Sequence, residues 1–134
     1  MGLISEAAAD LQRGDYAGCA LIADAVAGDC PILFATRRFY DFTGYGPEEV
    51  IGRNCRFLQG PETDSDTVLR IRAALEARRP LSVVLTNYRR DGTPFRNALF
   101  IMPIRDEEGR PNRFAGFQRP IKEGADPSGN AGVA

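Results

Sequence analysis

Apolar positions recur along the chain with two different periods, and each change of period marks a new element. Leu3, Ile4, Ala7, Ala8 and Leu11 stand at helical spacing and Gly14 supplies a stop, so the pattern predicts a short amphipathic helix over 3–13. Its apolar stripe needs a partner, either its own domain or a second copy across a dimer interface. Two apolar runs, 19–26 and 31–35, parted by Gly28-Asp29, predict the strands of a hairpin. Thr36 is placed to cap a helical segment from Arg37 to Thr43 that Gly44 closes. Pro47 opens another turn with Glu48 and Glu49 at its positive end, so compact helical turns are expected to fill 37–59.

From Asp64 or Ser65, Val68, Ile71 and Leu75 are spaced for one buried helix face that Pro80 ends. The period then changes from helical to alternating, predicting strands over 81–90 and 94–105 about Asp91-Gly92 and a last strand over 112–120. The tail from Gly124, rich in Gly, Ala, Pro, Ser and Asn, is expected to be disordered. This order describes an α+β domain with an antiparallel sheet and helices on one face, with a pocket where they meet. No internal repeat is present.

A length of 134 residues suits one domain, and 43% apolar with 26% charged residues fits a chain that folds on its own. Histidine is absent, which removes Ser-His-Asp and Cys-His catalysis and imidazole metal ligation. Cys19, Cys30 and Cys55 lack CxxC spacing, so neither a zinc site nor a disulfide framework is indicated, and a reduced intracellular setting is expected. No apolar run reaches membrane-spanning length and the N-terminus lacks the basic start of a secretory signal, so the expected location is cytoplasmic. With 17 basic against 18 acidic residues, no nucleic-acid or membrane partner is expected.

Some residues remain that packing alone does not explain. Cys55 lies between Asn54 and Arg56, where nearby cations are expected to lower a thiol pKa and favour nucleophilicity; a lone cysteine also serves as a small core residue. Without histidine as its base, ordinary thiol hydrolysis is disfavoured. All but one of the 17 basic residues are arginine, whose planar fork suits a phosphate, and Arg56 and Arg72 are the candidates. Arg72 follows Val68 by one helical turn, on or beside the inward face, where it either meets an anion or snorkels outward. Asn87 and Asn97 interrupt strands that favour other residues. A two-residue turn at Asp91-Gly92 would place them on opposite faces. A three-residue loop over 91–93 pairs 87 with 97 and puts both amides beside Leu81, Val83, Leu85, Leu99 and Ile101 on one apolar floor. That surface is a ligand pocket or a plain sheet core. Phe114, Gly116 and Gln118 alternate onto one face of the last strand, where a glycine marks close approach by a ligand or backbone. Cys19, at the junction of first helix and first strand, reads as a hinge contact or a small buried residue.

The string Gly52-Arg53-Asn54-Cys55-Arg56-Phe57-Leu58-Gln59 resembles the signature of the light-oxygen-voltage (LOV) family of flavin photoreceptors, within the PAS superfamily. Arg72, Asn87 in Asn87-Tyr88-Arg89-Arg90-Asp91-Gly92, Asn97 and Gly116-Phe117-Gln118 recur at that family's offsets, so the resemblance covers residues 18–121. It implies a PAS/LOV fold: a five-stranded antiparallel sheet with short helices on one face over 17–121, an N-terminal cap helix over 1–16 and a flexible tail over 122–134. It implies FMN held noncovalently by Asn54, Arg56, Gln59, Arg72, Asn87, Asn97, Leu99, Phe114, Gly116 and Gln118, with Arg56 and Arg72 on the phosphate. The segment 59–66 is short, which favours FMN over FAD; riboflavin and FAD stay open as alternatives. By the same resemblance, Cys55 attacks flavin C4a reversibly on illumination, and Gln118 answers the change at N5 by rotating its amide. One position departs from the family pattern: Cys30 stands before Pro31 where a polar residue, commonly asparagine, is usual.

The chain reads as a stand-alone short LOV protein, a sensor and not an enzyme, signalling through an altered homodimer of the N-terminal helix or a changed surface for an unknown output protein. The alternative is a PAS-type ligand-binding or interaction module without photochemistry. A flavin oxidoreductase is disfavoured, because the sequence has neither a nicotinamide-binding fingerprint nor an evident substrate base.

Overall fold

The computed structural model describes residues 3–121; the expected disorder of the tail lies outside them. Five strands, β1 (Cys19–Asp24), β2 (Ile32–Ala35), β3 (Leu81–Tyr88), β4 (Pro94–Arg105) and β5 (Pro111–Ile121), form one sheet in the order β2-β1-β5-β4-β3. Every neighbouring pair is antiparallel. The first and last strands of the core thus lie side by side at its centre, and β1 contributes to both faces. Cys19, Leu21 and Ala23 point to the face covered by helices, while Ala20 and Ile22 point to the other.

On that second face lies α1 (Leu3–Arg13), whose Leu11 is fully buried against Ala20, Ile22, Ile104 and Ala115. Burying one leucine contributes about 1.5–3 kcal/mol, enough to hold a three-turn helix on the sheet. Of the described stripe residues, Leu11 and Ala8 are buried, Leu11 on the helix's own sheet. Gly14, at φ +82°, ends the helix with its N–H on the Leu11 carbonyl.

The opposite face carries α2 (Arg37–Thr43), α3 (Pro47–Val50), a 3₁₀ turn (Cys55–Leu58) and α4 (Ser65–Ala77). Each start has its own chemical cause. Thr36 Oγ1 accepts the Phe39 N–H at 3.3 Å, Glu49 Oε1 accepts the Gly46 N–H at 3.0 Å, and Asp64 Oδ2 accepts the Thr67 N–H at 2.9 Å. Phe39, Val50 and Leu58 pack on the inner face of β1, while Ile71 and Leu75 of α4 pack with Ala25, Ile101 and Phe114.

Two expected boundaries shift. β1 stops at Asp24 instead of running to residue 26, because Asp24 Oδ1 turns the chain by accepting the N–H groups of Val26 at 2.8 Å and Ala27 at 3.0 Å. The β3–β4 loop has five residues, 89–93, instead of three; the Arg89 N–H closes it on the Thr93 carbonyl at 2.9 Å, and Asp91 Oδ1 accepts the Thr93 N–H. Asn87 therefore pairs with Phe95, and Asn97 with Leu85, in place of the direct 87–97 pair. The loop is still odd, so both asparagines share the inner face as expected.

Candidate functional site

Between the helices and the inner face of the sheet lies a cavity of about 110 Å³. Its walls come from the helical layer and the sheet: Cys55, Gln59 and α4 residues Ile71 and Leu75 on one side, Leu85, Leu99, Ile101 and Phe114 on the other. Of the candidate residues, Asn54, Cys55, Arg56, Gln59, Asn87, Asn97, Leu99, Phe114, Gly116 and Gln118 all line it. Arg72 does not. It is exposed, one residue beyond Ile71, while the inward positions of α4 are taken by Ile71, Ala74 and Leu75.

Cys55 opens the 3₁₀ turn and owes its position to Asn54, whose Oδ1 accepts the Arg56 N–H at 2.8 Å. Burial pushes its thiol up to about 12, with Cys19 adding to the effect. The expected lowering is therefore wrong, and the structure gives the reason. Arg53 stacks 4.7 Å from the Phe57 ring centroid, and Arg56 is turned away into an ion pair with Asp29, with Nη1–Oδ2 at 2.9 Å. Neither guanidinium serves the sulfur, which stays a protonated thiol at neutral pH.

The two amides form a chain. Asn87 Nδ2 donates to the Leu58 carbonyl at 3.2 Å, and Asn97 Nδ2 donates to Asn87 Oδ1 at 2.9 Å. The chain ends unsatisfied: Asn97 is 1% exposed and its Oδ1 has no partner. A buried acceptor left unpaired costs roughly 1–3 kcal/mol, so this oxygen calls for a donor from a ligand in the cavity. At the far side Gly116 holds open space, since a Cβ built there would lie 3.5 Å from Leu21 Cδ1, an ordinary contact, and would stand in the cavity wall. Gln118 is anchored on its other side, its Oε1 accepting the Cys19 thiol at 3.3 Å. Cys19 is buried, and burial raises its thiol to about 11.

An apolar space between sheet and helices, lined by the amides of Asn87, Asn97 and Gln118 and by the thiols of Cys55 and Cys30, suits an aromatic ring system with polar groups along one rim. An isoalloxazine has that form. A family model for the PAS domain matches residues 18–123. The LOV domain of the blue-light photoreceptor Aureochrome1, in its light state, superposes with a TM-score of 0.77 at 42% identity, over 84% of this chain and 88% of that one. This chain is a LOV domain of the PAS superfamily. A second light-oxygen-voltage domain, solved in a study of a flavin analogue, matches the LOV fold here with a TM-score of 0.79 at 43% identity, over 89% of this chain and 86% of that one. Phototropin-2 of Oryza sativa subsp. japonica is 50% identical over 103 residues, which are 77% of this chain and 11% of that protein. The LOV domain described here thus spans about a tenth of that relative's length.

Two neighbouring residues of this LOV domain's site were given no role from the sequence, Asp29 read only as part of a turn and Cys30 only as a departure from the family pattern. Asp29 holds the Arg56 fork, and its carbonyl accepts Asn54 Nδ2 at 2.6 Å. Cys30 lines the cavity beside it. Both occupy the left-handed region, Asp29 at φ +69° and Cys30 at φ +45°, with Asp29 tied to Asn54 and Arg56 and the Cys30 N–H on the Ala27 carbonyl at 3.4 Å. Gly28-Asp29 was legible as a turn; that its carboxylate reaches across to Arg56 was not.

Proposed function

We propose that this LOV domain is a blue-light photoreceptor whose chromophore is FMN, held noncovalently between the sheet and the helices. The observation that carries this reading is the unpaired Asn97 Oδ1 at the rim of the same apolar cavity that Cys55 overlooks. The ring-edge donors and acceptors are met by Asn87, Asn97 and Gln118, the ring faces by Leu99, Phe114 and the bare backbone of Gly116, the side chain by Asn54 and Gln59, and the phosphate by Arg56 and Arg72. Arg56 lines the cavity and Arg72 does not, so Arg56 would be the principal cation for the phosphate.

A bound flavin would supply a light-activated electrophilic carbon, and Cys55 is the residue that would present a sulfur and its proton to it. The chain's contribution is to deliver a protonated sulfur. A thiol whose pKa is about 12 stays neutral through the physiological range, so sulfur and proton arrive together and no histidine base is needed. Gln118 then matches N5 by turning its amide, oxygen toward a donor or nitrogen toward an acceptor. Any rotation is felt at Cys19, which shares that oxygen.

The test is Cys55→Ala. The variant keeps bound flavin and its fluorescence and no longer bleaches under blue light. Loss of flavin from the variant contradicts the assigned role. A module without photochemistry predicts a chain that stays colourless when supplied with flavin.

A further inference from the structure

The signature residues Asn54 and Arg56 spend their polar groups on one carboxylate-bearing turn. Asp29 takes Nη1 and Nη2 of Arg56 with its two carboxylate oxygens, the bidentate geometry a phosphate would use. Its backbone carbonyl takes the Asn54 amide. The turn so held links the β1–β2 loop to the start of the 3₁₀ turn, directly beside Cys30 and Cys55 at the cavity wall. In the same cavity the orphaned, fully buried Asn97 Oδ1 marks a ligand's place.

Taking the proposed flavin site as its basis, we infer that Asp29 is an internal competitor for the ligand's phosphate, a carboxylate latch that closes the Arg56 fork until a phosphorylated ligand takes it over. One observation and two physical arguments support it. The pair is exposed, with 55% and 63% of the Arg56 and Asp29 side chains accessible, so it opens at small cost. The fork cannot serve a carboxylate and a phosphate end-on at once, since each needs both terminal nitrogens. A phosphate approaching the closed latch meets a neutralised cation and a like charge, which lowers affinity for FMN but leaves riboflavin, with no phosphate, untouched. Asp29 thereby sets how strongly the site prefers the phosphorylated flavin.

The experiment titrates the flavin-free full chain with FMN and with riboflavin, by fluorescence quenching or calorimetry, in wild type, Asp29→Asn and Arg56→Gln. Asp29→Asn keeps the size of the side chain and removes the charge. It is expected to raise FMN affinity about three- to tenfold relative to riboflavin, the range an exposed ion pair and one like-charge contact supply. In the Arg56→Gln background the same substitution is expected to leave the ratio within about twofold. Riboflavin binding is the internal control for folding. An unchanged or lowered FMN to riboflavin ratio in Asp29→Asn, with both flavins still bound, overturns the latch and leaves the flavin site standing. A wild-type chain that binds neither flavin overturns both.

Discussion

Cys19 and Gln118, 99 residues apart in sequence, meet as opposite residues of β1 and β5, the thiol donating to the amide oxygen at 3.3 Å. Cys19 is the first residue of β1, five positions after the glycine that ends α1. The amide that edges the cavity is therefore bonded to the strand that leads directly from the N-terminal helix. Gln118→Leu removes this acceptor while keeping the size of the side chain. It is expected to retain flavin and bleaching, to shift the flavin absorption band, and to move the infrared S–H stretch of Cys19 toward that of an unbonded thiol. An unaltered S–H band would show that the two residues are not coupled.

Removing the orphaned acceptor separates ligand binding from folding. In the flavin-free chain Asn97→Leu deletes an unpaired oxygen and strands Asn87 Oδ1 in its place, so the two penalties, each about 1–3 kcal/mol, nearly cancel. The melting temperature is expected to stay within a few degrees, while flavin affinity falls at least about tenfold, the worth of one buried hydrogen bond. Equal losses in both measurements would make Asn97 a structural residue only.

Gly116→Ala asks whether the cavity wall needs to be bare. The added methyl meets only Leu21 and Leu99, at 3.5 Å or more, so the flavin-free fold is expected to hold within about 1 kcal/mol, with alanine somewhat favoured in a strand. Flavin affinity is expected to fall about tenfold or more, because the methyl occupies space the ring plane requires. Undiminished binding would remove Gly116 from the site.

The raised thiols of buried Cys19 and half-buried Cys55 give the chain an alkaline limit. Cys19 and Cys55 are raised from 9.0 to about 11 and about 12, so on unfolding each has the lower pKa. Below pH 9 both states keep the proton and the contribution to stability is complete. Between pH 9 and 12 the unfolded chain releases protons that the folded chain retains, so stability falls as pH rises. Melting temperatures are expected to drop across that window, and the slope to be shallower in Cys19→Ala and Cys55→Ala, which separates the thiols from the tyrosines Tyr16 and Tyr40, also raised by burial. A slope unchanged in both variants would contradict the burial-raised thiols.

Much of this fold is written locally. Thr36, Asp64, Gly14 and Gly44 end or start helices through bonds to their own neighbours, and those boundaries are readable from a few residues each. The face shared by Asn87 and Asn97 was legible because alternation depends only on parity; the exact register was not, since it rests on how Asp91 folds its loop onto Thr93. Electrostatics at the site were hardest to read. Cations near Cys55 in sequence suggested an acidic thiol, yet Arg53 lies over Phe57 and Arg56 answers to Asp29, a residue from another loop. Sequence neighbours share a chain and need not share a field. For the same reason Arg72 faces outward, because helix phase and not chemistry decides which of Ile71 and Arg72 meets the core.

One absorption spectrum, recorded before and after blue illumination of the purified full chain supplied with FMN, tests the account at its centre. The expected result is a yellow protein whose blue band bleaches in the light, recovers in darkness, and persists unbleached in Cys55→Ala. A protein that takes up no flavin, or one that binds it and keeps an unchanged spectrum under illumination, contradicts it.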